Sequence, residues 1–333
     1  MKEAMFYKDF GNSKVQCVLC PWKCIIPEGK RGKCRVRENK AGKLYSLVYG
    51  KPCAVAIDPI EKKPLFHFLP GSRIFSIGTV GCNLLCKFCQ NYSISQVMPE
   101  DTPAITLEPE EIPEKAKENK CKSIAYTYSE PTIFYEYMLD SAILTKQKRL
   151  KNVAVTNGYI NEEPLKKLLP HLDGFNVDLK GFNEKFYGEE TGAMLEPVLK
   201  TLKLIRKARK WMELTNLIIP TKNDSVEMIK EMCNWIVKNL GKDTPLHFSR
   251  YFPYYKLHLH VTPEKMLIRA KEIAIQAGLH YVYIGNVYIQ GSEDTKCYKC
   301  NKSVIKRVGY NIIENNMKKG KCSCGAKIAG IWK

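Results

Sequence analysis

Cys82, Cys86 and Cys89 stand in the run Gly81-Cys-Asn-Leu-Leu-Cys-Lys-Phe-Cys-Gln90, a C-x3-C-x2-C array with no fourth cysteine in step. Four thiolates close a [4Fe–4S] cluster for electron transfer, whereas three leave one iron open to a substrate or cofactor, as catalytic zinc sites keep an open position. A zinc knuckle or a loop of unpaired thiols is the structural alternative. Two further sets flank the array. Cys17-x2-Cys20-x3-Cys24-x9-Cys34 offers four ligands, for Zn²⁺ or for an auxiliary Fe–S cluster, and its spacing departs from the ferredoxin pattern. Cys297-x2-Cys300 and Cys322-x-Cys324 resemble the two knuckles of a zinc ribbon, with C-x-C where C-x2-C is usual. These groups take up all but Cys53, Cys121 and Cys233 of the 14 cysteines, so metal binding explains the cysteine content better than disulfides do.

The scaffold that must hold them reads as alternating strands and helices from Arg73 onward. Strands are expected at Arg73–Gly78, Lys122–Tyr128, Asn152–Thr156, Gly174–Leu179, Met212–Ile219 and Pro245–Ser249, with a further one at His280–Ile284. Helices are expected at Ile133–Lys148, Leu195–Lys210, Val226–Leu240 and Pro263–Ala277. Asp224 with Glu227 forms a capping-box pair, Thr262-Pro263 opens the last helix, and Gly241 and Gly278 end helices. Six strands separated by single helices predict a partial, TIM-like (β/α)6 barrel of α/β class, with an open doubly wound sheet as the alternative. Either arrangement puts functional residues at the C-terminal ends of strands. The cysteine array directly follows the first strand. Glu130, Asn157, Asp178, Lys180 and His247 fall at or near the ends of the second, third, fourth and sixth. Residues 1–70 form a cysteine-bearing region with short strands between Lys43 and Ala56, 71–290 the barrel, and 291–333 the ribbon-like module.

The formal net charge is +19, from 53 Lys and Arg against 34 Asp and Glu. The basic residues are dispersed, which fits a solvated surface and permits contact with RNA or an acidic protein face. No stretch approaches a membrane span and the first ten residues contain no apolar leader core, so a soluble, cytoplasmic protein without a membrane partner is expected.

The cysteine spacing, with Phe88 before the last cysteine, resembles that of radical S-adenosylmethionine (SAM) enzymes. The chain as a whole resembles the AmmeMemoRadiSam-system radical SAM proteins, relatives of the pyruvate formate-lyase activating enzyme. The resemblance rests on Cys17-Val-Leu-Cys20-Pro, Asp58-Pro-Ile-Glu-Lys-Lys-Pro-Leu-Phe-His67-Phe, Ser76-Ile-Gly-Thr-Val-Gly-Cys82, Tyr126-Thr-Tyr-Ser-Glu-Pro-Thr132, Val155-Thr-Asn-Gly158, Asn176-Val-Asp-Leu-Lys180 and His247-Phe-Ser-Arg-Tyr-Phe-Pro253. It implies a SAM-dependent [4Fe–4S] oxidoreductase that makes a 5′-deoxyadenosyl radical, with a glycyl radical enzyme as the first substrate guess. It further implies an electron donor such as ferredoxin or flavodoxin, and Memo-like and AMMECR-like proteins as partners. Glu130 would accept a hydrogen bond from the methionyl amino group, Asn157 would bind ribose or carboxylate, Lys180 would pair with the SAM carboxylate, and His247 would meet the nucleoside. Each also has a structural reading: an N-cap, an Asn-Gly turn, a surface lysine and a satisfied core histidine. Modification of tRNA or rRNA is the alternative activity, and a non-catalytic zinc-binding adaptor is the alternative class.

Overall fold

The computed structural model describes residues 1–333. Its centre is one sheet of eight strands: β1 (Ala54–Pro59), β2 (Arg73–Gly78), β3 (Ser123–Tyr126), β4 (Lys151–Thr156), β5 (Gly174–Asp178), β6 (Trp211–Ile218), β7 (Leu246–Arg250) and β8 (Val282–Gly285). Neighbours in the sheet are neighbours in sequence throughout. That order rules out the doubly wound alternative, which would reverse at a switch point. β2 to β8 run parallel, seven strands where six were expected, because the segment near Ile284 joins the parallel set beside β7. β1 adds an antiparallel edge against β2. β8 and β1 do not pair, so the sheet stays open between them.

Helices return the chain between the parallel strands. Leu195–Lys207 shows why: Leu195, Val198, Leu199, Leu202 and Ile205 recur at helical spacing and are buried. Helices Glu111–Glu118 and Glu162–Leu168 were not expected, being too short to display a period. Two caps differ from expectation. Ser225 Oγ, not Asp224, accepts from the Met228 N–H (3.2 Å). Thr262 is buried and does not cap; its hydroxyl donates to the Ile218 carbonyl (2.6 Å) and accepts from the Tyr251 N–H (3.0 Å), tying the end of β6 to the loop after β7. Gly241 and Gly278 do follow helix ends, with φ of 98° and 102°.

Residues 2–46 build two small antiparallel sheets. Their buried Val15, Ile26, Val36 and Leu44 share one apolar core with the central sheet, and a buried ion pair, Arg37 Nη2 to Glu136 Oε1 at 2.9 Å, fastens them to the helix after β3. A third antiparallel sheet spans residues 295–315.

The segment between β1 and β2 crosses the sheet near the N-terminal ends of its strands. Phe68 packs with Ile74, Ala125 and Val153, and its ring lies where a Cβ at Gly174 would come within 2.9 Å, so β5 must start on glycine. Phe66 meets His247 and Tyr283 edge-on at 4.8 and 4.7 Å. The C-terminal residues close over the same segment. His67 Nδ1 bonds the Ala329 carbonyl (2.6 Å), the Leu69 N–H the Ile331 carbonyl (2.7 Å) and the Ile331 N–H the His67 carbonyl (2.7 Å), while Arg307 donates to the Phe66 carbonyl (2.8 Å). No helix is long and apolar enough to cross a membrane.

Candidate active site

A cavity of about 550 Å³ opens over the C-terminal ends of the parallel strands. Every strand from β2 to β8 or the loop after it contributes to its wall. The loop after β2 brings Cys82, Cys86 and Cys89 to it. That loop is held from several sides: the Gly81 N–H donates to the Ile94 carbonyl (2.8 Å), and the Leu85 and Lys87 N–H groups to the Thr191 and Glu190 carbonyls (both 2.9 Å). Gly81 has φ of 99°, and a Cβ there would stand 2.6 Å from the Cys34 carbonyl oxygen, so the loop can pass only as glycine. Phe88 is buried beneath the loop near Phe186.

The predicted cofactor-binding residues Glu130, Asn157, Asp178, Lys180 and His247 line this cavity, and the structure shows what else each does. Glu130 is buried and accepts from the Thr132 N–H (2.9 Å), the Thr156 hydroxyl (2.7 Å) and the Asn157 N–H (2.7 Å). It is thus the N-cap of the following turn as well as a wall of the cavity. Burial raises its pKa despite these donors. Asn157 places its amide nitrogen 2.9 Å from Asn83 Oδ1 and 3.8 Å from Cys82 Sγ, so it supports the cysteine loop. Asp178 and Lys180 form an ion pair at 3.0 Å. Burial works against the Lys180 ammonium, but Asp178 and Cys86 outweigh it and raise its pKa, so the cavity carries a fixed cation beside the cysteines. His247 lies deeper, in the lower half of β7, where Nε2 bonds Glu213 Oε2 (2.8 Å) and the ring stacks on Tyr283. Its structural role is filled, and it faces the cavity floor.

Sequence reasoning missed a second charged group on the wall. Lys63 is buried and pairs with Asp58 Oδ2 at 2.7 Å; Lys62 pairs with Oδ1 at 2.9 Å, and the Tyr128 hydroxyl donates to the same carboxylate (2.7 Å). Burial opposes ionisation of Asp58, yet the two lysines and Tyr128 together hold its pKa below the usual carboxylate range. The run Asp58-x3-Lys62-Lys63 was visible in the sequence, but nothing there showed that a lysine would be buried over Tyr128. Glu61, Glu293 and Tyr310 also reach the cavity, the last two from the C-terminal region.

The flanking cysteines are gathered differently. Cys297 and Cys324 place their sulfurs 3.6 Å apart, as do Cys300 and Cys322, and all four lie within 4.8 Å of one another. Tetrahedral Zn–S bonds of about 2.3 Å put sulfurs about 3.8 Å apart, so these four fit one ion. Cys17, Cys20, Cys24 and Cys34 line a separate small cavity. Cys121 and Cys233 are buried away from all three groups.

The three thiols at the main cavity fit an iron–sulfur cluster by donor chemistry. They are soft ligands on one loop, and their sulfurs are not drawn together within 4.8 Å as the four C-terminal ones are.

Residues 76–236 match the family model described as the Radical SAM superfamily. The chain is 47% identical to the uncharacterized protein MJ0808 of Methanocaldococcus jannaschii over 332 residues, 98% of this chain and 99% of that one. A second protein of that organism, MJ0674, is 26% identical over 80% of this chain and 76% of its own. Streptococcus suis SuiB bound to S-adenosylmethionine superposes with a TM-score of 0.52 at 16% identity, covering 69% of this chain and 53% of SuiB. A radical SAM methyltransferase from Sphaerobacter thermophilus gives 0.51 at 14% identity, over 66% and 67%. At those identities the likeness to the two solved structures is one of fold.

Proposed function

The chain belongs to the radical SAM superfamily, and from that premise we propose that it is an enzyme that binds a [4Fe–4S] cluster at Cys82, Cys86 and Cys89 and uses S-adenosylmethionine to abstract hydrogen from a macromolecular substrate. When bound, the cluster supplies the electron that splits SAM into methionine and a 5′-deoxyadenosyl radical. The observation that carries this reading is the placement of three thiols at the strand ends of a large cavity whose wall also carries Glu130, Asp178 and Lys180.

The chain's own residues then divide the work. Lys180, held by Asp178, offers a cation for a carboxylate next to Cys86. Glu130 keeps one oxygen with a single donor, Asn157 N–H, and so has capacity to accept from an ammonium group. Asn157 steadies Cys82 and the turn that follows β4. His247 and Tyr283 form the floor, and the buried Asp58–Lys63–Tyr128 group keeps the far wall rigid. At the C-terminal module, the four gathered thiols support zinc as their ion.

A macromolecular target is supported by the breadth of the mouth, where Gln90, Asn91, Asn286 and Tyr310 reach the cavity edge. A protein glycine is the first reading. RNA is the second, favoured by the +19 charge and by Tyr310, which brings a lysine-rich module to the mouth. Memo-like and AMMECR-like partners are proposed on motif resemblance alone. Anaerobic reconstitution, reduction and addition of SAM should yield 5′-deoxyadenosine; iron-replete protein that leaves SAM intact would sink the reading. Deuterated protein and RNA fractions, supplied separately, would then reveal which passes label to 5′-deoxyadenosine.

A further inference from the structure

We infer that Cys17, Cys20, Cys24 and Cys34 hold a second iron–sulfur cluster, placed to pass electrons to the one proposed at Cys82, Cys86 and Cys89. The four cysteines line a single small cavity, together with Trp22, Arg37 and Asn83. Among groups of three or more His, Cys, Asp or Glu residues, only the C-terminal set brings its ligand atoms within 4.8 Å of one another. The N-terminal four are spread, as the central three are, more widely than the spacing of about 3.8 Å that one zinc ion imposes on its four sulfurs.

The surroundings suit an anionic thiolate cluster. Arg37 lines the cavity, is 1% exposed, and leaves its Nε without a hydrogen-bond partner although its other nitrogens reach Glu136 and the Met5 carbonyl. A buried donor of that kind stabilises negative charge on thiolate sulfur. Gly32 keeps the space open, since a Cβ there would press on Ile26 at 3.3 Å and approach Cys24 Sγ at 3.8 Å.

The two sites meet at neighbouring residues of one loop. Asn83 lines the second cavity, and it follows Cys82 directly in the chain. The Trp22 indole, also on that cavity, donates to the Asn83 carbonyl at 2.6 Å. Asn83 Oδ1 in turn accepts from Asn157, the residue whose amide lies 3.8 Å from Cys82 Sγ. The Cys34 carbonyl sits where a side chain on Gly81 would be. One electron from a low-potential donor of the ferredoxin or flavodoxin class would reduce the N-terminal cluster, and its passage to the central cluster would return the first to its oxidised form. This relay role, though not the cluster site itself, rests on the function proposed above.

The test begins with metal counts on the reconstituted full chain. About eight iron and eight sulfide per chain are expected, the content of two cubanes, falling to about four of each in the Cys82→Ala/Cys86→Ala/Cys89→Ala variant. Adding Cys20→Ser and Cys24→Ser should remove the rest. Iron near zero in the triple variant, or a second zinc per chain in the wild type, would overturn the proposal. Should the combined variant not fold, the wild type still decides: its reduced electron paramagnetic resonance spectrum should contain two cluster signals, only one of which SAM perturbs. A single signal at full reduction overturns the second cluster, whereas two signals that both ignore SAM would leave it standing and overturn the radical SAM reading. Cys20→Ser/Cys24→Ser protein should lose reduction of the central cluster by ferredoxin while keeping reduction by dithionite; equal loss or equal retention would refute the relay.

Discussion

Replacing Glu213 by glutamine should loosen the floor of the cavity without touching its mouth. Glu213 is fully buried on β6 and accepts four hydrogen bonds: from the His67 N–H (2.8 Å) and the Trp211 indole (3.0 Å) at Oε1, and from the Phe66 N–H (3.0 Å) and His247 Nε2 (2.8 Å) at Oε2. Burial alone would raise its pKa; His247 and the other donors more than offset that and lower it, so the carboxylate is ionised. In Glu213→Gln the carbonyl can keep the Oε1 pair, at the weaker strength of a neutral acceptor. The amide group must then face His247 and the Phe66 N–H. His247 can change tautomer and accept, but a backbone N–H cannot. One buried donor left unmade costs about 1–3 kcal/mol, and loss of charge assistance on the remaining bonds adds about 1 kcal/mol, for a total of about 2–4 kcal/mol. The assay is a denaturant titration under anaerobic conditions, with hydrogen exchange at the Phe66 and His67 amides as the local readout. A midpoint change equivalent to less than about 1 kcal/mol, with both amides still protected, would refute the assignment of Glu213 as the clasp of this segment.

Acid should act on the neighbouring histidine first. Burial pushes the His67 pKa down to about 4, so its neutral form stabilises the fold fully above the unfolded value of about 6.5; up to about 3 kcal/mol is lost as pH falls from 6.5 to 4, and His67→Gln should flatten that part of the pH–stability profile. Gly81→Ala combines left-handed backbone strain with a 2.6 Å approach to the Cys34 carbonyl and should cost about 2–5 kcal/mol, whereas Gly42→Ala, with a similar positive φ but nothing within 4 Å, should cost only the strain, about 1–2 kcal/mol; equal thermal shifts would contradict the packing. If the four C-terminal thiols hold zinc as proposed, Cys300→Ala should abolish zinc binding and raise hydrogen exchange across residues 295–328 while the helices around β4 to β6 keep their protection; zinc retained at wild-type content would count against the four-thiol site.

Much of the central sheet was legible because its strands are short apolar runs separated by amphipathic helices. Leu195 to Ile205 repeats at helical spacing, and Arg73–Gly78 was placed to the residue. The cysteine loop was legible because its chemistry is local: three thiols within eight residues can be read without a fold. What the sequence hid is long-range. Nothing near Lys63 announces that it will be buried against Asp58 and Tyr128, and nothing near Glu213 announces four donors from three separate segments. His247 lines the cavity, but its pairing partner, invisible in the local sequence, lies 34 residues away on another strand. Caps were misread where a neighbour competed: Ser225 beside Asp224, and Thr262 drawn inward by the Ile218 carbonyl.

The bond between His67 and the Ala329 carbonyl spans 262 residues. On a ribosome, the segment that crosses the sheet therefore emerges long before the residues that fasten it, and β2 to β6 can assemble while that fastening is still being translated.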